Sequence, residues 1–401
     1  MDRFDWKETI KPNIVMLKVV GLWPAGDEAY GRDFYTLFAV VSIFLFQVCH
    51  VFFQTTNLFF IMDDLQAVTG TIYIVLMDMA VLLKTYYVMK NMTNIKELMI
   101  NVNSDVFQPK TLEQRTLVQP NLNMWKTIVS TFWYLALGCS FFWTFFPIID
   151  KTYKNYRLPF LAWYPYNTST SPLYEFTYLH QVLSINFTSM SNVNINTLIA
   201  ALNMYVGSQF DILCDDVRNL NDVSKDNSAN INERLKKCIR HHKEILKFAD
   251  HVNQVYNSLL IVEFFVDGVS IGITMFQLTV VIPLSSEFYL YFGYVNAVAV
   301  EIFMYCWFGN EIEIKSSKLP YSVFESDWTG FSPEEKKNLI IFVLNVHRPL
   351  RISAFGLFYL SLETFVKIMR TAWSYFALLH RLNSQEQPDN ELSLTVRASS
   401  Y

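Results

Sequence analysis

The chain has 401 residues, 52% hydrophobic and only 17% charged, with a formal net charge of −4 at pH 7 and a mean hydropathy of +0.21. That is too apolar for an ordinary soluble domain, so several membrane spans are expected. The 7 histidines and the acids show no metal-ligand spacing or nucleophile–base cluster, which argues against an enzyme; no cofactor, metal or nucleic-acid partner is expected.

In chain order, the N-terminal run MDRFDWKETIKP has no apolar core, so no cleaved signal peptide is expected and the first span directs insertion. Residues 34–62 and 127–149 hold no Asp, Glu, Lys or Arg and exceed the ~20 residues a spanning helix needs. Further spans are read at 65–88 with Asp78 and Lys84, 264–282 with Asp267, 288–309 with Glu301, and 353–379 with Glu363, Lys367 and Arg370. Residues 176–210 are uncharged, but Asn186, Asn192, Asn194, Asn196 and Asn203 lower their hydropathy; the count is seven with this segment and six without it. Intramembrane acids suggest function by default, although a hydrogen-bonded acid between helices fits Asp78, Asp267 and Glu301 equally well. The sequence supplies no partner for them.

Lys and Arg fix an expected orientation. With the N-terminus in the cytoplasm, the inner segments carry 24 of them and the outer segments 5, so seven spans end with an extracellular C-terminus. No outer segment holds a pair of the 5 cysteines, so no structural disulfide is expected. The sequon at Asn167 falls in an outer loop and is a candidate for glycosylation, whereas the one at Asn91 falls inside.

No linker or repeat divides the chain, so residues 1–401 read as one all-α membrane domain. Two cytoplasmic stretches within it, 211–257 and 332–348, have helical character. Leu235, Ile239, His242, Leu246, Ala249 and Tyr256 follow a three-four spacing that runs into the fifth span. Ser332, Pro333 and Glu335 form a capping box, and Leu339, Phe342, Val343 and Val346 make an apolar stripe that ends before Pro349. Such helices suit an anchor for assembly.

In the last span, expected over 353–382, Thr364, Lys367, Thr371, Ser374 and Leu378 are spaced three, four, three and four apart and share one helical face. Either this is a polar seam buried within the chain, or a wall of an aqueous pore closed by Leu378 and Leu382. One helix cannot enclose a pore; several copies around an axis could.

Glu325-Ser326-Asp327-Trp328, Ser332 to Lys337, His347-Arg348-Pro349 and the run SLETFVKIMRTAWSYFALLHRL (361–382) resemble insect odorant receptors, as does RLPFLAWYPYN (157–167). The resemblance implies a tetrameric cation channel lined by the last helix, in which a tuned subunit pairs with a shared coreceptor in the plasma membrane of a sensory dendrite, among membrane lipids. It puts Leu378 and Leu382 at the gate. The related gustatory receptors carry Thr-Tyr, five apolar residues and Gln-Phe at this end; here Ser374-Tyr375 is followed, after 376–380, by Arg381-Leu382, which favours the odorant branch. The segment between spans four and five is shorter than in the coreceptor, which favours a tuned subunit.

The resemblance also implies a ligand site in the extracellular halves of spans two, three, four and six. Cys139, Phe142, Trp143 and Phe146 share a face on span three, Tyr291 and Tyr294 stand three apart on span six, and Tyr73 and Met77 lie one turn apart on span two; Tyr178 and Val182 are the candidates on span four. This set holds no ionised group, so a small neutral volatile is expected. The first alternative is a G-protein-coupled receptor, which would need an external N-terminus, and the second a transporter, which would show paired broken helices; a gustatory-type ligand-gated channel is a further alternative.

Overall fold

A computed structural model of the chain describes residues 3–26, 29–221 and 230–398, with their side chains except those of Leu65 and 382–398. Two short helices, α1 (Trp6–Thr9) and α2 (Lys11–Val19), precede the first long one. That helix comprises α3 (Phe34–Ile43), a π turn at Phe44–Val48 and α4 (Cys49–Leu58). Asp33 caps its start by accepting a 2.9 Å hydrogen bond from the Thr36 backbone N–H. There follow α5 (Leu65–Lys90), α6 (Met92–Asn101), α7 (Leu112–Ile149), α8 (Leu173–Arg218), α9 (Ile231–Val280), α10 (Ser286–Phe324), α11 (Pro333–Val346) and α12 (Leu362–Ala398).

Among the described residues six helices are long and apolar enough to cross a membrane: Phe34–Leu58, Gln66–Lys90, Leu112–Ile149, Leu173–Arg218, Ile231–Val280 and Ser286–Phe324. The Asn-rich segment is one of them. The last helix, α12, is not, because Glu363, Lys367 and Arg370 crowd its opening turns. At ~1.5 Å per residue, α8 and α9 run roughly 70 Å against a hydrocarbon core of ~30 Å, so each projects well beyond a bilayer.

α8 stands at the centre, packed against α5, α7, α9 and α10, and 94% of its most apolar window is buried. At the end of the bundle remote from the outer loop, its buried face receives the N-terminal segment. There the Tyr205 hydroxyl donates to the Trp6 carbonyl at 2.8 Å, and the Trp6 indole N–H donates to Phe107 at 3.2 Å. Leu235, Ala249 and Tyr256 of α9 are buried in the same core, as are Leu339, Phe342 and Val346 of α11. Leu246 faces outward. The capping box of α11 is formed, with Ser332 N–H donating to Glu335 at 2.8 Å and Glu335 N–H donating to the Ser332 hydroxyl at 3.3 Å.

The expected start of the last span at 353 is corrected. Residues 353–359 form a β-hairpin, β1 (Ser353–Ala354) antiparallel to β2 (Phe358–Tyr359), and the helix begins only at Leu362. Phe355 and Gly356, the central residues of a turn closed by Leu357 N–H donating to the Ala354 carbonyl at 2.9 Å, both have positive φ (49° and 70°), as a type I′ turn requires and a helix forbids. Hydropathy alone cannot register that reversal. Gly309 of α10 lets the hairpin sit close, since a Cβ there would collide with the Leu360 backbone. Gly272 of α9 admits α12 in the same way, a Cβ falling 2.7 Å from Tyr375 Cβ.

Candidate functional site

A cavity of about 90 Å³ lies between α5, α7, α8 and α10 and the loop carrying Phe160. Its walls differ from end to end. Towards the loop stand Ile74, Trp143, Phe160 and Tyr294, with Trp143 and Phe160 stacked at 5.9 Å between ring centres. About seven residues deeper along α10, or ~10 Å at helical rise, stands Glu301. Asp78, Thr188, Ser189 and Asn192 line the same deep end. Ser140, from α7, joins them through a 2.6 Å hydrogen bond to the Ser189 hydroxyl.

The loop is fastened over the cavity by Gln181 of α8. Its side-chain oxygen accepts from Phe160 N–H at 3.0 Å, and its amide donates to the Phe160 carbonyl at 3.1 Å. Tyr73, fully buried, lies between Tyr294 and Tyr291, with ring centres 5.0 and 6.0 Å away. Beyond this aromatic group an open, more polar hollow is lined by Tyr73, Tyr291, Phe146, Asp150, Arg157 and Glu287 among others. Arg157 and Glu287 pair across it at 3.0 Å.

Of the residues singled out in the sequence, Met77, Cys139, Trp143 and Tyr294 line the inner cavity, and Tyr73 and Tyr291 border it from the outer hollow. Phe146 is buried at the α7–α10 contact, and Phe142, on the same helix, is exposed on the outer surface. Tyr178 instead donates its hydroxyl to the Thr144 carbonyl, and Val182 receives the Asn186 amide at 2.8 Å; neither lines the cavity. Sequence reasoning missed Phe160, Thr188, Asn192 and two acids, Asp78 and Glu301. One signal was present: Tyr294, Ala297 and Glu301 are three and four apart, which places the acid beneath the tyrosine on one face.

The acids without sequence partners find them here. Lys84 of α5 is fully buried and donates to Glu263 of α9 and Asn192 of α8. It also reaches Asn196 at 3.3 Å and Glu301 at 3.6 Å. Asn192 and Asn196 in turn donate to Glu301. Oxygens of Glu263, Asp267 and Glu301 lie within 4.8 Å of one another, a donor set suited to a hard cation, and the Lys84 ammonium supplies positive charge at that point. Asp78 lies 3.7 Å from His50 of the first span, whose other neighbour, Gln54, is at 3.0 Å. Buried charges endure only when paired and hydrogen-bonded, and this network joins four helices directly below the cavity.

On α12 the polar stripe faces away from the rest of the chain. Lys367, Thr371, Ser374 and Leu378 are exposed, and Lys367 pairs with Glu363 one turn earlier, at 2.7 Å. Thr371 and Ser374 hydroxyls donate back to the carbonyls of Lys367 and Arg370 at 3.0 Å each. Thr364 departs from the stripe, buried and donating to the Tyr359 carbonyl at 2.6 Å. The opposite face of α12 packs on α9 through Ile368 against Gly268 and Tyr375 against Gly272. Leu382 lies outside the residues whose side chains are described. Asn167 is exposed in the outer loop, its side-chain oxygen accepting from Ser169 N–H at 2.9 Å.

A bundle of long apolar helices around an aromatic cavity, with intramembrane charges neutralised by one another, defines a multi-pass membrane protein of the receptor type rather than an enzyme. A family model described as 7tm Odorant receptor matches residues 64–373, and the chain belongs to that family. Odorant receptor Or1 of Anopheles gambiae is 22% identical over 96% of this chain and 98% of its own length. Odorant receptor 46a, isoform A, of Drosophila melanogaster is 21% identical over 92% and 96%. The solved structure of the insect olfactory receptor OR5 from Machilis hrabei, in complex with eugenol, has the same fold: its TM-score is 0.82 at 16% identity, covering 94% of this chain and all of that one.

Proposed function

We propose that this chain is the tuned, ligand-binding subunit of an odorant-gated cation channel in the plasma membrane. A small volatile enters through the polar hollow, passes the Tyr73, Tyr291 and Tyr294 rings, and lodges in the aromatic cavity between α5, α7, α8 and α10. The observation that carries this reading is the cavity between these four helices, walled mainly by apolar and aromatic side chains with a few polar groups as small-molecule sites are, in a chain of the odorant receptor family. A protein of the same fold solved with eugenol lends support.

The bias of 24 against 5 basic residues supports a cytoplasmic N-terminus, and with it an extracellular Asn167 open to glycosylation. The channel is a heterotetramer with a coreceptor, held together by the helices at 211–257 and 332–348. Cations pass along a path walled by Lys367, Thr371 and Ser374 and closed near Leu378 and Leu382. Exposure of that stripe on a single subunit supports this over a seam buried within the chain.

The test is electrical. In cells expressing the chain with a coreceptor, Leu378→Ala is expected to raise the resting current by widening an apolar constriction. Unchanged resting and evoked currents would reject the gate. Ala136→Phe, which fills the cavity, is expected to suppress the response to every active odorant with surface expression intact.

A further inference from the structure

We infer that the ligand carries a terminal hydroxyl, which the deep end of the cavity binds as a hydrogen-bond donor. This rests on the cavity being the odorant site, and it goes further by assigning the ligand's chemical class and orientation.

The cavity is amphipathic along its length. Trp143, Phe160 and Tyr294 face one end, and Asp78, Thr188 and Asn192 the other. At the polar end the existing hydrogen bonds leave a specific deficit. Asn192 is used up: its oxygen accepts from Lys84 and Asn196, and its amide donates to Glu301. Ser140 and Ser189 satisfy each other. Among the described residues the Thr188 hydroxyl, in a buried side chain of the cavity wall, has no partner, and one carboxyl oxygen of the buried, cavity-lining Asp78 makes no hydrogen bond, facing only the His50 ring at 3.7 Å. Thr188 does not make the usual bond back to a carbonyl one turn earlier on its helix, the bond that Ser191 and Thr197 of the same helix do make, to Phe187 and Val193 at 2.8 Å.

Buried polar groups without hydrogen bonds cost free energy, so two of them on the wall of one cavity favour a ligand that completes them. Both unused oxygens accept hydrogen bonds, and the threonine also donates. A hydroxyl answers both roles, donating to Asp78 or Thr188 and accepting from Thr188. An ether offers no donor, and a hydrocarbon offers nothing. With the polar end fixed at Thr188, a body of ~10 Å or less reaches the rings of Trp143 and Phe160.

The experiment records odorant-evoked current from the chain with a coreceptor, using aliphatic and aromatic alcohols, each matched with its methyl ether and its hydrocarbon analogue. The expected result is that alcohols are at least tenfold more potent than their ethers, equivalent to about 1.4 kcal/mol. Thr188→Val keeps the side-chain shape and is expected to bring alcohol and ether to similar potency without weakening the ether, a pattern that mere structural damage would not produce. Asp78→Leu is expected to act in the same direction. Equal potency of alcohols and ethers, an alcohol preference that survives both substitutions, or a series that evokes no current would overturn the inference. The underlying site assignment fails separately, if Ala136→Phe leaves the alcohol response unchanged.

Discussion

Helices α8 and α12 both carry many polar residues, and they use them in opposite ways. In α8, Asn192 and Asn196 are buried and tied into the Lys84, Glu263 and Glu301 network, Asn194 donates to Met190 at 2.7 Å, and Ser191 accepts from Gln47 at 3.1 Å. These groups find partners on a neighbouring helix or within α8, whereas the Thr188 hydroxyl and the Asn203 side-chain oxygen have none among the described residues. In α12, among the described residues, Thr371 and Ser374 bond only to their own helix's backbone, and Lys367 pairs only along its own helix. Polarity that lowers hydropathy equally in both therefore means a cemented interior in one and an outward, hydratable face in the other. Whether another helix brings complementary groups to the same depth separates the two cases.

Several substitutions sharpen that contrast, beginning with the largest expected effect. Lys84→Met leaves three acids without their cation and should destabilise the fold by about 3–5 kcal/mol, as breaking a buried pair does. Thermal unfolding of the detergent-purified protein, or loss of surface expression, would register it; near-normal stability would mean that the charges are not truly buried.

Gly272→Ala puts a Cβ 2.7 Å from Tyr375 and 3.0 Å from the Ala372 carbonyl, so it should cost about 1–3 kcal/mol and shift α12 on α9. A change in odorant potency or resting current without loss of expression would show that this seat bears on the position of α12. Asn13→Ala removes a donor to the Asn194 carbonyl at 3.2 Å and an acceptor of the Thr197 hydroxyl at 2.9 Å. Because the single Thr197 hydroxyl proton can turn to the Val193 carbonyl at 2.8 Å instead, little is left unpaired, and a loss of about 1 kcal/mol in chemical unfolding is expected. Thr371→Val, on the exposed face of α12, should change stability by no more than about 0.5 kcal/mol. A large loss there would mean that the stripe is packed after all.

Much of this was legible from residue spacing. Charge-free runs located the first and third spans, the Ser332 capping box located α11, and the three-four stripe of α12 identified its polar face. The Asn-rich fourth span was harder, because hydropathy scores a side chain as if it were alone, and the partners of Asn192 and Asn196 arrive from α5, α9 and α10. The pairing of Lys84 with Glu263 and Glu301 spans 179 and 217 residues and has no local signature. Helical faces brought Met77, Cys139, Trp143 and Tyr294 to one cavity, yet Tyr178 and Val182 rotate away, since chain depth alone leaves a helix's rotation undetermined. Phe160 was invisible as a wall residue because its loop is positioned by Gln181, a contact that no periodicity encodes.

The contrast between the two helices can be measured directly by thiol modification. A single cysteine is introduced by Ser374→Cys on α12 or Ser191→Cys on α8, and a charged, water-soluble thiol reagent is applied to odorant-activated channels while current is recorded. Modification at 374 should alter the current, and modification at 191 should leave it unchanged. An inert position 374, or equal reactivity at both, would contradict the assignment of the α12 stripe to an aqueous path.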